Sequence, residues 1–281
     1  MLLSGCIPVL VLVGAVTIQR WTEARAGWRR PVREKMLRPA GYGLSRRLID
    51  LDESYTMFLL GGFCTALFSV RSGNNEPTDF WGPTLHLVVL GGISAVLTML
   101  AWRNLQAIRR ARLGLAGEQV MGELLQPLWA KGYQVFHDVM GAEKWNIDHV
   151  VVGPAGVFAI ETKTRTKKPG PKGEPGHRVT FDGKSLRFPG FVDSRALDQA
   201  KRNAKWLGDW LSKATGEPVT AQAIVVLPGW LVDRTVRDSS VSVLSGKEMV
   251  KFIAEGTPRL SEKLIRQVAH QLDQKCRDVE F

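Results

Sequence analysis

NIDHVVVGPAGVFAIETK, residues 146–163, is the stretch whose reading decides the fold. Two apolar runs, 146–152 and 157–163, flank Gly153-Pro154-Ala155-Gly156. With that segment as a four-residue loop, Val152 pairs with Val157, and counting back in the same register sets Asp148 opposite Glu161. Directly opposed residues hold their Cβ atoms ~4.5–5.5 Å apart, close enough for two carboxylates to grip one cation. Lys163 lies two residues beyond Glu161, so the period of a strand puts both on one face. The neighbours are Ile, Val, Phe and Ala, among which an acid–acid–lysine group is costly unless it is paired or binds metal.

Working outward, residues 115–130 read as a helix with Met121, Leu124, Leu125 and Leu128 along one stripe. Glu118 shares that stripe, either as a carboxylate with a task on the buried face or as a helix-start acid favoured by the dipole. Residues 133–139 (YQVFHDV) alternate as a strand, and the hairpin follows. Residues 164–177 form a basic Pro/Gly loop, and 179–188 a second hairpin turned at Asp182-Gly183. Next come a helix over 194–213 with Gly216 after its end, a buried strand over 219–227 and a short strand over 241–244. Ser245 caps a further helix, and 261–275 forms the last. The core order is helix, three strands, helix, strand, which predicts an α/β sheet flanked by helices.

Hard divalent cations such as Mg²⁺ are held by one or two carboxylates together with waters and phosphate oxygens. Asp148 and Glu161 supply such a pair, the main-chain carbonyl of Thr162 adds a third oxygen, and Glu118 can complete or orient the shell. Lys163 suits orienting or deprotonating a water, or offsetting charge on a scissile phosphate. Phosphodiester hydrolysis needs these parts. On spacing alone, the charged end of a solvated strand fits the same residues. His149 points to the opposite face as a packing histidine, and His137 and Asp138 read as surface groups ending a strand.

The runs Gly114–Glu118 (GLAGE), Tyr133–Val139 and Ile147–Lys163 resemble the nuclease-related domain, NERD. The resemblance spans roughly residues 113–227. It implies the PD-(D/E)XK nuclease superfamily, with its core of helix, three strands, helix and strand. It also implies an active site of Glu118, Asp148, Glu161 and Lys163, with Mg²⁺ or Mn²⁺ as cofactor. Members often carry a polar residue on the following helix, and Gln199 in ALDQAKRNA is the matching position. Arg165, Lys167, Lys168, Lys172 and Arg178 follow the cluster directly, with Lys201 on the next helix. Such charges suit phosphate contacts that position a strand without reading sequence, or form an ordinary solvated face. Trp206 and Trp210 fit packing better than base stacking. No P-loop is present, and no helicase, kinase or zinc motif accompanies the cluster.

The first hundred residues differ from the rest. Residues 2–18, 55–70 and 84–102 lack Asp, Glu, Lys and Arg and approach the ~20 apolar residues that a spanning helix needs. Glycine pairs at 61–62 and 91–92 would let the second and third helices approach closely. No basic residue precedes the first segment, which reads as an uncleaved anchor. Nine Lys/Arg fall in the loop 19–54, only Arg71 lies in the loop 71–83, and Arg103, Arg109, Arg110 and Arg112 follow the third segment. The positive-inside rule then puts the N-terminus outside and the C-terminal part in the cytoplasm, in a bacterial inner membrane. This gives a membrane region over 1–102, a nuclease-like domain over 113–230, and a strand and helices over 231–281 packing on it. The net charge of +11 favours polyanionic partners, nucleic acid or anionic lipid, and three scattered cysteines suggest neither a zinc site nor a disulfide framework. The expectation is a membrane-anchored, metal-dependent nuclease acting on DNA or RNA. The alternative is a tethered binding module with little or no cleavage.

Overall fold

The computed structural model describes Ile18 and residues 34–72, 81–141, 145–167, 176–236 and 239–280. Contacts divide the chain into two units, residues 1–36 with 279–281, and residues 37–278. In the first, Lys35 and Glu280 pair at 3.3 Å. The second holds the two larger sheets and their helices.

That unit begins with two long helices, α1 (Tyr42–Ser72) and α2 (Trp81–Leu125). Helix α1 already includes residues 42–54, which the sequence reading leaves in a loop. Helix α2 runs without a break from the apolar segment 84–102 into the stretch that carries Glu118, where the sequence suggests separate elements. Its only proline, Pro83, sits in the first turn, where a missing N–H costs nothing. The next, Pro127, coincides with the change from α-helix to a 3₁₀ segment over Gln126–Lys131 that ends at Gly132 with φ of 80°. Between these prolines nothing in the charged run Arg103–Arg112 interrupts the helical hydrogen bonds.

Among the described residues one helical stretch, Val88–Lys131, is long and apolar enough to cross a membrane. Phe63, Leu85, Val88 and Trp102 of the two helices are exposed. The segment 55–70 lies inside α1, whereas 2–18 falls outside the described residues except for Ile18. Between α1 and α2, Thr65 and Ser94 share a hydroxyl hydrogen bond of 2.9 Å. A Cβ added at Gly61 would only touch Leu97, and one at Gly91 or Gly92 would meet nothing within 4 Å. The second glycine pair therefore does not mark the helix contact; a Thr–Ser bond and Leu97 do.

The main sheet has five strands. Strands β1 (Gln134–Met140), β2 (Asn146–Gly153) and β3 (Gly156–Thr162) form an antiparallel meander. Strands β7 (Ala221–Val226) and β9 (Val241–Leu244) extend it in parallel, giving the order β9-β7-β3-β2-β1. Helix α3 (Arg195–Thr215) precedes β7, while α4 (Gly246–Ala254) and α5 (Glu262–Cys276) follow β9. A smaller sheet joins β4 (Arg178–Phe181), β5 (Leu186–Phe188), β6 (Phe191–Asp193) and β8 (Leu231–Arg234) in the order β6-β5-β4-β8. The sequence shows only β4 and β5 of it.

Both faces of the main sheet are covered, which explains the near-continuous apolar runs of β2 and β3. On one face Val150, Val152, Val157 and Ala159 pack against Leu197, Leu207 and Leu211 of α3 and Leu272 of α5, with the small sheet closing the layer. On the other, Val151, Phe158 and Ile160 pack against Met121 and Leu125 of α2 and Met249 and Ile253 of α4. Ser245 and Glu248 form a reciprocal capping box at α4, and Ser261 accepts from the Leu264 N–H at α5.

Candidate active site

The hairpin register puts Val152 beside Val157 and His149 beside Ile160. The pairing ends there; continued by one step, the same register sets Asp148 of β2 across from Glu161 of β3. The connection is tighter than a four-residue loop, because Gly153 and Gly156 themselves pair and only Pro154-Ala155 turns. Gly156 adopts a φ of 140°, which a side chain would resist.

Each carboxylate has a structural reason for its position. The Thr162 N–H donates to Asp148 Oδ2 at 2.7 Å, so β3 holds that acid directly. Lys163 Nζ donates to Glu161 Oε1 at 2.5 Å and to Gln199 Oε1 at 3.2 Å. Asn203, one turn after Gln199 on α3, donates its Nδ2 to Glu161 Oε2 at 3.1 Å. The sequence reading passes over Asn203. Its signal is a buried amide four residues from Gln199, on the apolar face of an amphipathic helix.

Glu118 arrives from the other side of the sheet, on α2. The approach depends on Gly117: a Cβ there would fall 1.7 Å from Thr164 Oγ1 and 2.9 Å from Thr164 Cβ. The helix backbone at Gly117 and the Thr164 side chain are thus in close contact beside the cluster. Glu118 is only 7 % exposed, and its Oε2 has no hydrogen-bond partner.

The electrostatics follow from burial. Burial raises the Glu118 carboxyl to about 7, helped by Asp138 and Glu161 and opposed by Lys163. Asp148 is held well above the carboxylate range by burial and then by Glu161 and Glu118, against the Thr162 N–H and Lys163. Glu161 is raised by burial, with Lys163 opposing. Three buried acids around one ammonium leave the site short of positive charge.

Among the described residues no three His, Cys, Asp or Glu side chains form a group that holds a metal by themselves. Two carboxylates with waters and phosphate oxygens suffice for a Mg²⁺-type ion, however. The donor set fits that chemistry: Asp148 and Glu161 are buried carboxylates, and Glu118 Oε2 is an orphaned oxygen. Glu161 has both oxygens engaged by Lys163 and Asn203, so a cation there would share or displace one of these bonds.

The surrounding charges are less free than the sequence suggests. Arg165 pairs with Asp193 at 2.7 Å and Arg178 with Asp233 at 2.9 Å. Lys167 is described, Lys201 is exposed on α3, and Lys168 and Lys172 lie outside the described residues. Asp138 is not a surface group: it is buried, adopts a φ of 52°, and accepts from Asn146 while Arg38 donates to its carbonyl at 2.7 Å. His149 is fully buried, with its Nδ1 2.8 Å from that of His137. Trp206 and Trp210 stack on each other under Lys275, and Trp206 meets Trp145 edge-on, as packing between α3 and α5.

A cleft of about 620 Å³ opens beside Lys163 and Gln199. Comparison with curated proteins and with solved structures gives no match. Residues 113–228 match the nuclease-related domain family, NERD. That matched span contains Glu118, Asp148, Glu161, Lys163, Gln199 and Asn203, so the similarity to the nuclease-related domain takes in the whole cluster.

Proposed function

We propose that the chain is a membrane-anchored, divalent-metal-dependent nuclease that hydrolyses phosphodiester bonds of DNA or RNA at the cytoplasmic face. The observation that carries this reading is the shared hydrogen bonding of Lys163 with Glu161 and Gln199, beside Asp148, inside a nuclease-related domain. The element order helix, antiparallel β1–β3, α3 and parallel β7 supports a PD-(D/E)XK-like core.

Asp148 and Glu161, with the Thr162 carbonyl and Glu118 alongside, are the groups that would hold Mg²⁺ or Mn²⁺. Such an ion, when bound, acidifies water and offsets charge on the phosphate. The chain's own contribution is preorganisation. The Thr162 N–H fixes Asp148, Asn203 fixes Glu161, and Gln199 accepts from Lys163 beside the cleft, where the ammonium can meet a phosphate oxygen or, once it has released a proton, the neutral amine can take one from water. Arg165, Lys167, Lys168, Lys172, Arg178 and Lys201 supply the phosphate contacts, the two arginines by exchanging their present carboxylate partners. The exposed apolar sides of α1 and α2, followed by Arg103–Arg112, support anchoring with the catalytic part on the basic side.

A second reading has a specific observation behind it. Glu161 is already satisfied by Lys163 and Asn203, as expected of a domain that keeps the fold and tethers nucleic acid without cutting it. Purified full-length protein in detergent, assayed on DNA and RNA with Mg²⁺ or Mn²⁺, separates the two. Cleavage by wild type that is lost in Asp148→Asn and Lys163→Ala supports the nuclease. Equal cleavage by all three sinks the proposed site, and salt-sensitive binding without cleavage favours the tether.

A further inference from the structure

The cleft beside Lys163 has an aromatic wall that the hydrolytic cluster does not use. Phe191 of β6 lines it and is 39 % exposed. Its ring is backed by a column: Phe188 stacks on it at 4.6 Å between centroids, nearly parallel at 7°, and Trp230 meets Phe188 edge-on at 5.0 Å. Phe188 and Trp230 are buried, so the outer ring is braced from behind rather than left on a loose loop. Val192 beside it is also exposed. Apart from Ala196, the rest of the lining is polar and carries three cations. Lys163, Arg165 and Arg195 face it with Asp193 as the one acid, already paired with Arg165. Arg195 has no ion-pair partner among the described residues, although its N–H bonds to Asp193.

We propose that this cleft seats one unpaired nucleobase of the substrate strand on Phe191, with the adjoining phosphates along Arg195 and Arg165. The proposal rests on the nuclease reading and adds the substrate class: a single strand or a frayed end, in preference to an intact duplex. A braced aromatic face beside cations is the arrangement that takes a base by its π-face and its phosphates by charge, without reading sequence. The bases of a duplex are covered by their neighbours and must leave the stack to offer a face. The volume of about 620 Å³ falls within the ~300–1,000 Å³ typical of small-ligand pockets. Because Lys163 and Gln199 line the same cleft, a base on Phe191 leaves its own phosphate within reach of the cluster.

The test uses the full chain in detergent with EDTA, so that binding is read without cleavage. The probes are a short fluorescein-labelled oligothymidylate, an abasic strand of equal length, and a duplex. Wild type should bind the base-bearing strand about tenfold more tightly than the abasic one. Phe191→Ala and Phe191→Leu should erase that ratio, Phe191→Trp should keep it, and Arg195→Ala should weaken both strands alike. Leu retains the apolar bulk without the ring face, and near-ultraviolet circular dichroism checks that each variant keeps the Trp230 environment. A wild-type ratio in Phe191→Ala, or tighter binding of duplex than of single strand, overturns the platform. If wild type cleaves while that ratio is unmoved, the platform alone fails. If it neither binds nor cleaves any of the strands with metal restored, the nuclease reading fails with it.

Discussion

Gly117→Ala tests how α2 delivers Glu118. In an open helix the change would stabilise by about 0.8–1.0 kcal/mol, because alanine is the better helix former. Here the new methyl falls 1.7 Å from Thr164 Oγ1. Rotating the threonine cannot relieve this, since its Cβ would still lie 2.9 Å away. Ordinary contact begins near 3.4 Å, so helix and strand end must part by about 0.5 Å. Overpacking of this kind costs about 1–3 kcal/mol, which exceeds the propensity gain. The expected result is a net loss of about 1 kcal/mol. The same displacement carries Glu118 away from Asp148 and Glu161, and misplacements approaching 1 Å cost up to about a hundredfold in rate; about tenfold is expected here. Thr164→Gly removes every atom in the clash, so Gly117→Ala in that background should be neutral or stabilising. Urea denaturation of the four proteins of this cycle gives the coupling energy, and single-turnover cleavage gives the rate. A Gly117→Ala protein more stable than wild type, or equal effects in both backgrounds, would refute the close-contact argument whatever the activity.

Further expectations follow from other parts of the molecule. Burial lowers the His137 imidazole to about 4, from about 6.5 in the unfolded chain. Between those values the unfolded state binds a proton that the native state refuses, so stability falls as pH drops from 6.5 to 4, by at most about 3 kcal/mol. Denaturation of wild type and His137→Gln across that window should show a shallower slope in the variant, and identical slopes count against the assignment. The Cys276 thiol is buried and pushed up to about 12, so maleimide at pH 8 should leave it unmodified until denaturant is added. Mass mapping of the labelled peptide decides this, and rapid native labelling would contradict the burial. The exposed apolar faces of α1 and α2 predict that the protein stays in the membrane fraction after an alkaline carbonate wash. Quantitative release into the supernatant would exclude integral anchoring.

The hairpin was legible because its signal is local. Two apolar runs within 146–163 and the glycines around the turn fix which side chains oppose each other. The extra tightness of the turn changed nothing in the register, since a two-residue and a four-residue reading share the same symmetry point. Asn203 was hidden because an amide on an apolar helix face has no meaning until Glu161 is known to lie beneath it. The small sheet was half hidden because β8 reaches β4 across a sequence gap of more than fifty residues, and β6 is only three residues long. Asp138 was misread because Arg38, a hundred positions earlier, supplies the partner that lets it be buried. The continuity of α2 was missed for a different reason. A change from apolar to basic side chains marks where the surroundings of a helix change, and the backbone continues as long as glycine and proline permit.

That continuity has a mechanical meaning. From Trp102 to Glu118 the helix rises about 24 Å, with no hinge residue of the proline kind between them. On the anchored reading, one stiff rod has its lower end in lipid and an active-site carboxylate near its tip. Spanning helices change tilt as bilayer thickness changes. A tilt of about 10° over that length would sweep the tip by about 4 Å, enough to withdraw Glu118 from its partners. On the nuclease reading, the cluster would then respond to the thickness and tension of the bilayer, with α2 as the lever arm.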